Sequence, residues 1–168
     1  MTDQRFIILG IPKAQGRLRH RVQFARSGKP YSQGYMPEED VREANNTRAQ
    51  LVQQSPVRCD GAVDVVVLFV LPRPQDHYGV HGLRPSAPLD HIKVPDIDNL
   101  TKHLFDACRG VLWIDDRQVC HKDVGKEYGD QPRTEIVVKD IGRRTVGVRE
   151  VAREIEGQAK GLFEAAAP

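Results

Sequence analysis

The chain has 168 residues, of which 39% are hydrophobic and 29% charged, enough for one domain with a core and short for two. A formal net charge of +2 neither marks nor excludes a polyanionic partner. No apolar run approaches the roughly 20 residues of a membrane span, and the start, MTDQRFIILG, lacks a secretory leader pattern. The three cysteines, Cys59, Cys108 and Cys120, are odd in number and without Cys-x-x-Cys spacing, which predicts free thiols in a reducing, cytoplasmic setting.

In chain order, residues 5–9 are a short apolar run that predicts a first strand, and residues 10–37 read as loop. Between Asp3 and Glu38 there is no acid, while Arg5, Lys13, Arg17, Arg19, Arg21, Arg26 and Lys29 are basic and Phe24, Tyr31 and Tyr35 lie among them. Such a segment can track a phosphate backbone and stack on bases; a solvated basic loop fits the charge equally. Pro37 and the acids Glu38, Glu39 and Asp40 open a helix to about residue 54. Residues 62–71, AVDVVVLFVL, predict a central strand. Residues 72–95 crowd prolines with His77, His81 and His91 and read as one long loop. Those histidines could act as general base or DNA contact, but lone loop histidines are mostly bystanders.

Pro95 ends that loop. Ile97, Leu100, Leu104, Phe105 and Cys108 then recur at helical spacing, so residues 97–108 predict an amphipathic helix closed by Gly110. Residues 111–124 and 133–141 read as two strands joined by a YGDQP turn. Trp113 in the first of them reads as packing. Residues 146–166 read as a helix weakened by Gly157 and Gly161.

The carboxylates carry the chemistry. In KVPDIDNLTKHLFDAC, Asp96 precedes the helix and Asp98 sits in its first turn, with Lys102 and Asp106 on the same polar face. An N-cap and an i,i+4 ion pair would account for these residues, at about 1 and about 0.3 kcal/mol. A second pair, Asp115 and Asp116, follows in sequence. The helix carries the chain away by ~15 Å, and residues 109–115 can carry it back by up to ~23 Å, so Asp116 can return beside Asp96 and Asp98. Three carboxylates in one place repel unless a cation neutralises them. Oxygen donors alone select a hard ion such as Mg²⁺, with Mn²⁺ able to replace it. Histidine and cysteine never fall at zinc-ligand spacing. A Mg²⁺ cluster beside Lys102 suits phosphodiester hydrolysis, the ion activating water and the lysine stabilising the pentacovalent phosphate.

PDIDNLTKHLFDA followed by WIDDRQV, then Lys126 and a YGDQPR turn, resembles the RusA family of Holliday junction resolvases. The likeness runs from about Phe6 to Ile141 and includes the loop from Pro12 to Arg19. The resemblance implies an α/β domain over residues 1–141, with a mixed sheet flanked by helices, and leaves residues 142–168 as a helical appendage. It implies Asp96, Asp98 and Asp116 as metal carboxylates, Lys102 as catalytic lysine, and paired symmetric cuts in a four-way junction by a homodimer. Lys126 matches a basic residue of the family and is expected, with Lys13, Arg17, Arg19 and Arg21, to touch DNA. No small-molecule cofactor and no membrane are expected. The insert around HYGVHG and the tail depart from the family. Competing readings are a related nuclease on other branched or single-stranded DNA and a junction-binding protein without catalysis. All three acids and the lysine argue against the latter. A PD-(D/E)-x-K nuclease lacks its second motif after Pro95-Asp96.

Overall fold

The computed structural model of the chain describes residues 3–16 and 19–142. Arg17 and the helix expected over residues 146–166 therefore lie outside the described residues. In order the elements are β1 (Asp3–Leu9), β2 (Arg19–Phe24), β3 (Pro30–Tyr35), α1 (Glu38–Gln53), β4 (Ala62–Pro72), β5 (Tyr78–Gly79), β6 (Gly82–Leu83), α2 (Ile97–Cys108), β7 (Val119–Gly129) and β8 (Arg133–Gly142). Four strands form one mixed sheet in the order β1-β8-β4-β7. β8 runs antiparallel to both β1 and β4, and β7 runs parallel to β4.

β4 is central because its sequence has almost nothing to leave in water. Val63, Val65, Val67, Phe69 and Leu71 are buried at the two-residue period of a strand. They meet Phe6 and Ile8 of β1, Ile136 and Val138 of β8, Leu51 of α1, and Leu100, Leu104 and Cys108 of α2 in one core. Both helices thus lie on the same face of the sheet. Each such side chain contributes about 1.5–3 kcal/mol when removed from water. No described helix is long and apolar enough to cross a membrane. Cys59, Cys108 and Cys120 are free thiols, and burial pushes the first two up in pKa, away from reactivity.

Two expectations change. Residues 10–37 are not all loop: β2 pairs with β3 in an antiparallel arm, from Arg19↔Tyr35 to Phe24↔Pro30. The arm turns at Gly28, whose φ of +76° suits glycine. The stretch 111–118 is not the start of a strand. The amides of Val111 and Leu112 both turn back to the Cys108 carbonyl at 2.9 Å, Leu112 and Trp113 are fully buried, and β7 begins only at Val119. A short apolar run satisfies a buried turn as well as a strand. β7 and β8 are joined by a turn, as expected, with β4 lying between them in the sheet.

The long loop also has more order than its prolines foretold. A short 3-10 turn, Gln75–His77, leads into the β5–β6 hairpin. Beyond it the chain returns along the outer edge of β7. The Tyr128 amide donates to Leu89 O at 2.8 Å and the His91 amide to Lys126 O at 3.4 Å, while the Arg73 guanidinium binds Pro88 O at 2.8 Å and Tyr128 O at 3.0 Å.

Candidate active site

α2 begins where predicted, with Asp96 at the N-cap in extended conformation, φ −71° and ψ 145°. Its side chain nevertheless makes no capping hydrogen bond. Asp98 lies in the first turn, and Asp96, Asp98 and Lys102 are all exposed. Among the described residues no ion pair joins Asp98 to Lys102, although residues four apart on a helix are neighbours. The two structural duties that would explain these residues, cap and ion pair, are thus both unfilled. Among the described residues, then, two carboxylates stand without a partner at a helix N-terminus, where the backbone dipole favours negative charge, and the Lys102 ammonium follows one turn on. Oxygen donors so placed fit a hard divalent cation.

The second acidic pair divides its labour. Asp115 is structural. Its Oδ1 accepts from the Arg117 amide at 3.1 Å and from Arg117 Nε at 2.7 Å, and those bonds hold its carboxyl below the usual carboxylate range. Gln118 completes a capping box and donates to Cys59 O and Gly61 O at 3.1 and 2.7 Å, which fastens the turn to the foot of β4. Asp116 instead is half-buried, and its Oδ1 accepts from Trp113 Nε1 at 2.9 Å. Trp113 is fully buried, its ring edge-on to Phe105 at 5.3 Å. Packing is therefore its role, as expected, and it also aims a carboxylate.

Trp113→Phe would keep a ring beside Phe105 but remove that donor. It is expected to cost about 2–3 kcal/mol in chemical denaturation, from a smaller ring and the missing charge-assisted bond. An unchanged unfolding midpoint would show that Trp113 does not anchor Asp116.

The two pairs are not drawn into one cluster. Phe105, against which Trp113 stacks, is seven residues beyond Asp98, about 10 Å of helix rise. Among the described residues no three His, Cys, Asp or Glu side chains lie close enough to hold a metal ion together. Asp96 and Asp98 share the mouth of α2, and Asp116 approaches the other half of the same helix.

The basic residues are held in three different ways. Lys13 is exposed on a loop that lies along α2. There the Gln15 amide donates to Asn99 O at 2.9 Å and Gln15 Nε2 to Asp106 Oδ2 at 2.8 Å. Gly16 lets the Asp40 carboxylate close on that loop, since a Cβ there would fall 2.0 Å from it and displace that side chain. Arg19 and Arg21 stand on the β2–β3 arm with Gln23, and register places Tyr35, Gln33 and Tyr31 opposite them. One face of the arm is consequently cationic and aromatic, with Arg21 over the Tyr35 ring at 5.4 Å. Tyr31 and Tyr35 were visible in the sequence as interleaved aromatics; the two glutamines that share their face were not. Lys126, by contrast, is half-buried, and its ammonium donates to Lys93 O and Pro95 O, both at 2.8 Å.

Two of the loop histidines and His103 are packed against the fold. His77 and His91 pack on the Tyr128 ring at 4.8 and 4.5 Å. Burial pulls His91 and the buried His103 below their ordinary pKa, with Lys126 adding to the effect on His91.

The chain is 28% identical over 149 residues to the uncharacterized protein YqaN of Bacillus subtilis (strain 168), an alignment spanning 82% of this chain and 96% of that protein. Residues 11–139 match the family described as Endodeoxyribonuclease RusA, a span that contains both acidic pairs, Lys102 and the basic loop. The match covers most of the chain, which therefore belongs to the RusA family of metal-dependent, Holliday junction-resolving phosphodiester hydrolases.

Proposed function

We propose that this chain resolves four-way DNA junctions by Mg²⁺-dependent, paired and symmetric phosphodiester hydrolysis, acting as a homodimer. The observation that carries the reading is the mouth of α2, where Asp96, Asp98 and Lys102 are free of the capping and pairing that would otherwise occupy them. Asp96 and Asp98 would hold the cation; Asp116 stands apart from them along α2 in this structure and would have to close on the mouth of the helix to serve as third donor. When bound, the ion supplies an activated water and offsets charge on the scissile phosphate, and Mn²⁺ can replace it. Lys102 stabilises the charge that builds on phosphorus. Asp116 is kept to one orientation by Trp113.

The Lys13 loop, with Arg17, and the cationic face of the arm supply affinity. Replacing Arg19 and Arg21 by Ala is expected to weaken junction binding and to flatten log K against log salt by about 0.9 for each phosphate no longer neutralised. An unchanged slope would make the arm a solvated surface.

One chain carries one set of carboxylates, while resolution needs two cuts on strands of like polarity. A two-fold dimer, the commonest oligomer, brings two sets to one junction. The test is a panel of junction, flap, nicked and linear DNAs with Mg²⁺ and with EDTA, together with sedimentation. Symmetric nicks in the junction alone, abolished by EDTA, from a dimer are the expected result. Cuts scattered without two-fold relation, or resolution by a strict monomer, would overturn it.

A further inference from the structure

Lys93, Val94 and Pro95 deliver the chain to Asp96, and little else fixes them. Ile92 and Val94 are 89% and 81% exposed, so neither anchors the segment to the core, and only Pro95 is half-buried. The last backbone bond before it is His91 N to Lys126 O at 3.4 Å. From there to the N-cap, the hydrogen bonds that tie the segment to the rest of the described residues are the two from Lys126 Nζ, to Lys93 O and Pro95 O. One residue of β7 therefore grips this stretch twice, through its carbonyl and through its ammonium. The second grip ends one residue before a helix whose N-cap side chain does no capping.

We infer that Lys126 is a positioning residue for Asp96 and Asp98 and not a DNA contact. The inference rests on the proposed metal-dependent reading of those two carboxylates. An ammonium has three donors, and two are already spent on carbonyls of this chain. The half-buried stem runs between the edge of β7 and the returning loop. A phosphate-binding lysine has the opposite profile, an exposed head with free donors, as Lys13 has on its loop. Removing the Lys126 head group frees the backbone from residue 93 onward, so the two carboxylates lose their fixed relation to each other and to Lys102. Partners that orient ligating carboxylates typically change metal affinity by about 10–100-fold when removed.

The experiment compares Lys126→Met, Lys126→Gln and Lys126→Arg with the wild-type chain, and reads Mn²⁺ affinity by calorimetry or electron paramagnetic resonance without DNA. Amide hydrogen exchange and the salt dependence of junction binding are read in parallel. The expected result for Lys126→Met is Mn²⁺ affinity down by about tenfold or more, with faster exchange at His91 and in the first turn of α2. Exchange in β4 should be unchanged, as should junction affinity and its salt slope. Lys126→Arg, which retains donors, should recover most of the metal affinity. Should the methionine variant not fold, the glutamine variant carries the same comparison. Wild-type metal affinity in a folded Met or Gln variant would overturn the inference alone. So would a salt slope lowered by about 0.9 with weaker junction binding, the signature of a lysine that had been neutralising a phosphate. A wild-type chain whose Mn²⁺ binding is absent, or is unaffected by Asp96→Asn, would overturn the metal reading and this inference with it.

Discussion

Asp96→Asn, Asp98→Asn and Asp116→Asn are each expected to lose junction cleavage by roughly a hundredfold or more, while junction binding holds or tightens. The substitutions isolate charge from structure unusually well at these positions. Asparagine is as good an N-cap as aspartate, and the Asp96 side chain makes no cap bond to lose. At position 116 the asparagine carbonyl can still accept from Trp113 Nε1, the bond that Oδ1 takes now. At position 98 the loss is the helix-dipole contribution, about 0.3–1 kcal/mol. The three variants should therefore melt close to the wild type, and a dead variant reads as a missing metal ligand. Affinity holds or rises because each change removes a negative charge that faces phosphate. Asp115→Asn is the control: its carboxylate caps a turn and pairs with Arg117, so it should lose some stability and keep activity. Full cleavage by any of the first three variants would remove that residue from the site. Asp116→Asn matters most, since Asp116 stands beside the far half of α2 and not with the other two.

How much of this was legible follows from which forces are local. α2 could be read to the residue, because Pro95 in front, Gly110 behind with φ +79°, and the Leu100–Leu104–Cys108 stripe are all local statements. β4 could be read because a strand buried in the middle of a sheet has a composition that no surface element shares. The β2–β3 arm could not. Val22 and Phe24 are 68% and 70% exposed, so neither face is buried and no alternation marks it. Only the Ser27-Gly28 turn hinted at a hairpin.

Misreading residues 111–118 had a different cause. Burial in a turn and burial in a strand select the same side chains, and what separates them here is the Asp115–Gln118 capping box, which the apolar run before it concealed. The residue types proposed for the site can be read from the chain, in PDIDNLTK and WIDDRQV. Its geometry was not. Chain reach allowed Asp116 to come back to the mouth of α2, but the Trp113 bond and the packing against Phe105 decide where it stands. The grip of Lys126 on Lys93 and Pro95 joins residues far apart in the chain, and no local pattern announces it.

Lys102→Met is the second large effect, a fall in the single-turnover cleavage rate of about 10²–10³-fold at saturating protein and Mg²⁺. On α2 the Lys102 Cβ lies about 5–6 Å from that of Asp98, near enough to pair, yet no ion pair between them is among those of the described residues. The ammonium is thus available to the phosphate, where charge develops as the attacking oxygen bonds to phosphorus. An exposed, unpaired lysine could instead serve affinity alone, and the two roles separate kinetically. Removing a group that only binds raises the protein concentration needed for half-maximal rate and leaves the saturated rate alone; removing transition-state stabilisation lowers the saturated rate. The salt slope gives an independent reading, since a lysine that neutralises a ground-state phosphate would take about 0.9 from it when replaced. Stability should hardly move, because a methionine at an exposed helix position has nearly the helix propensity of lysine. Lys102→Arg is expected to recover only part of the rate, because a planar guanidinium is not a point charge and reaches further. A saturated rate within about threefold of wild type for Lys102→Met would leave that lysine as a DNA contact and place the stabilising charge elsewhere.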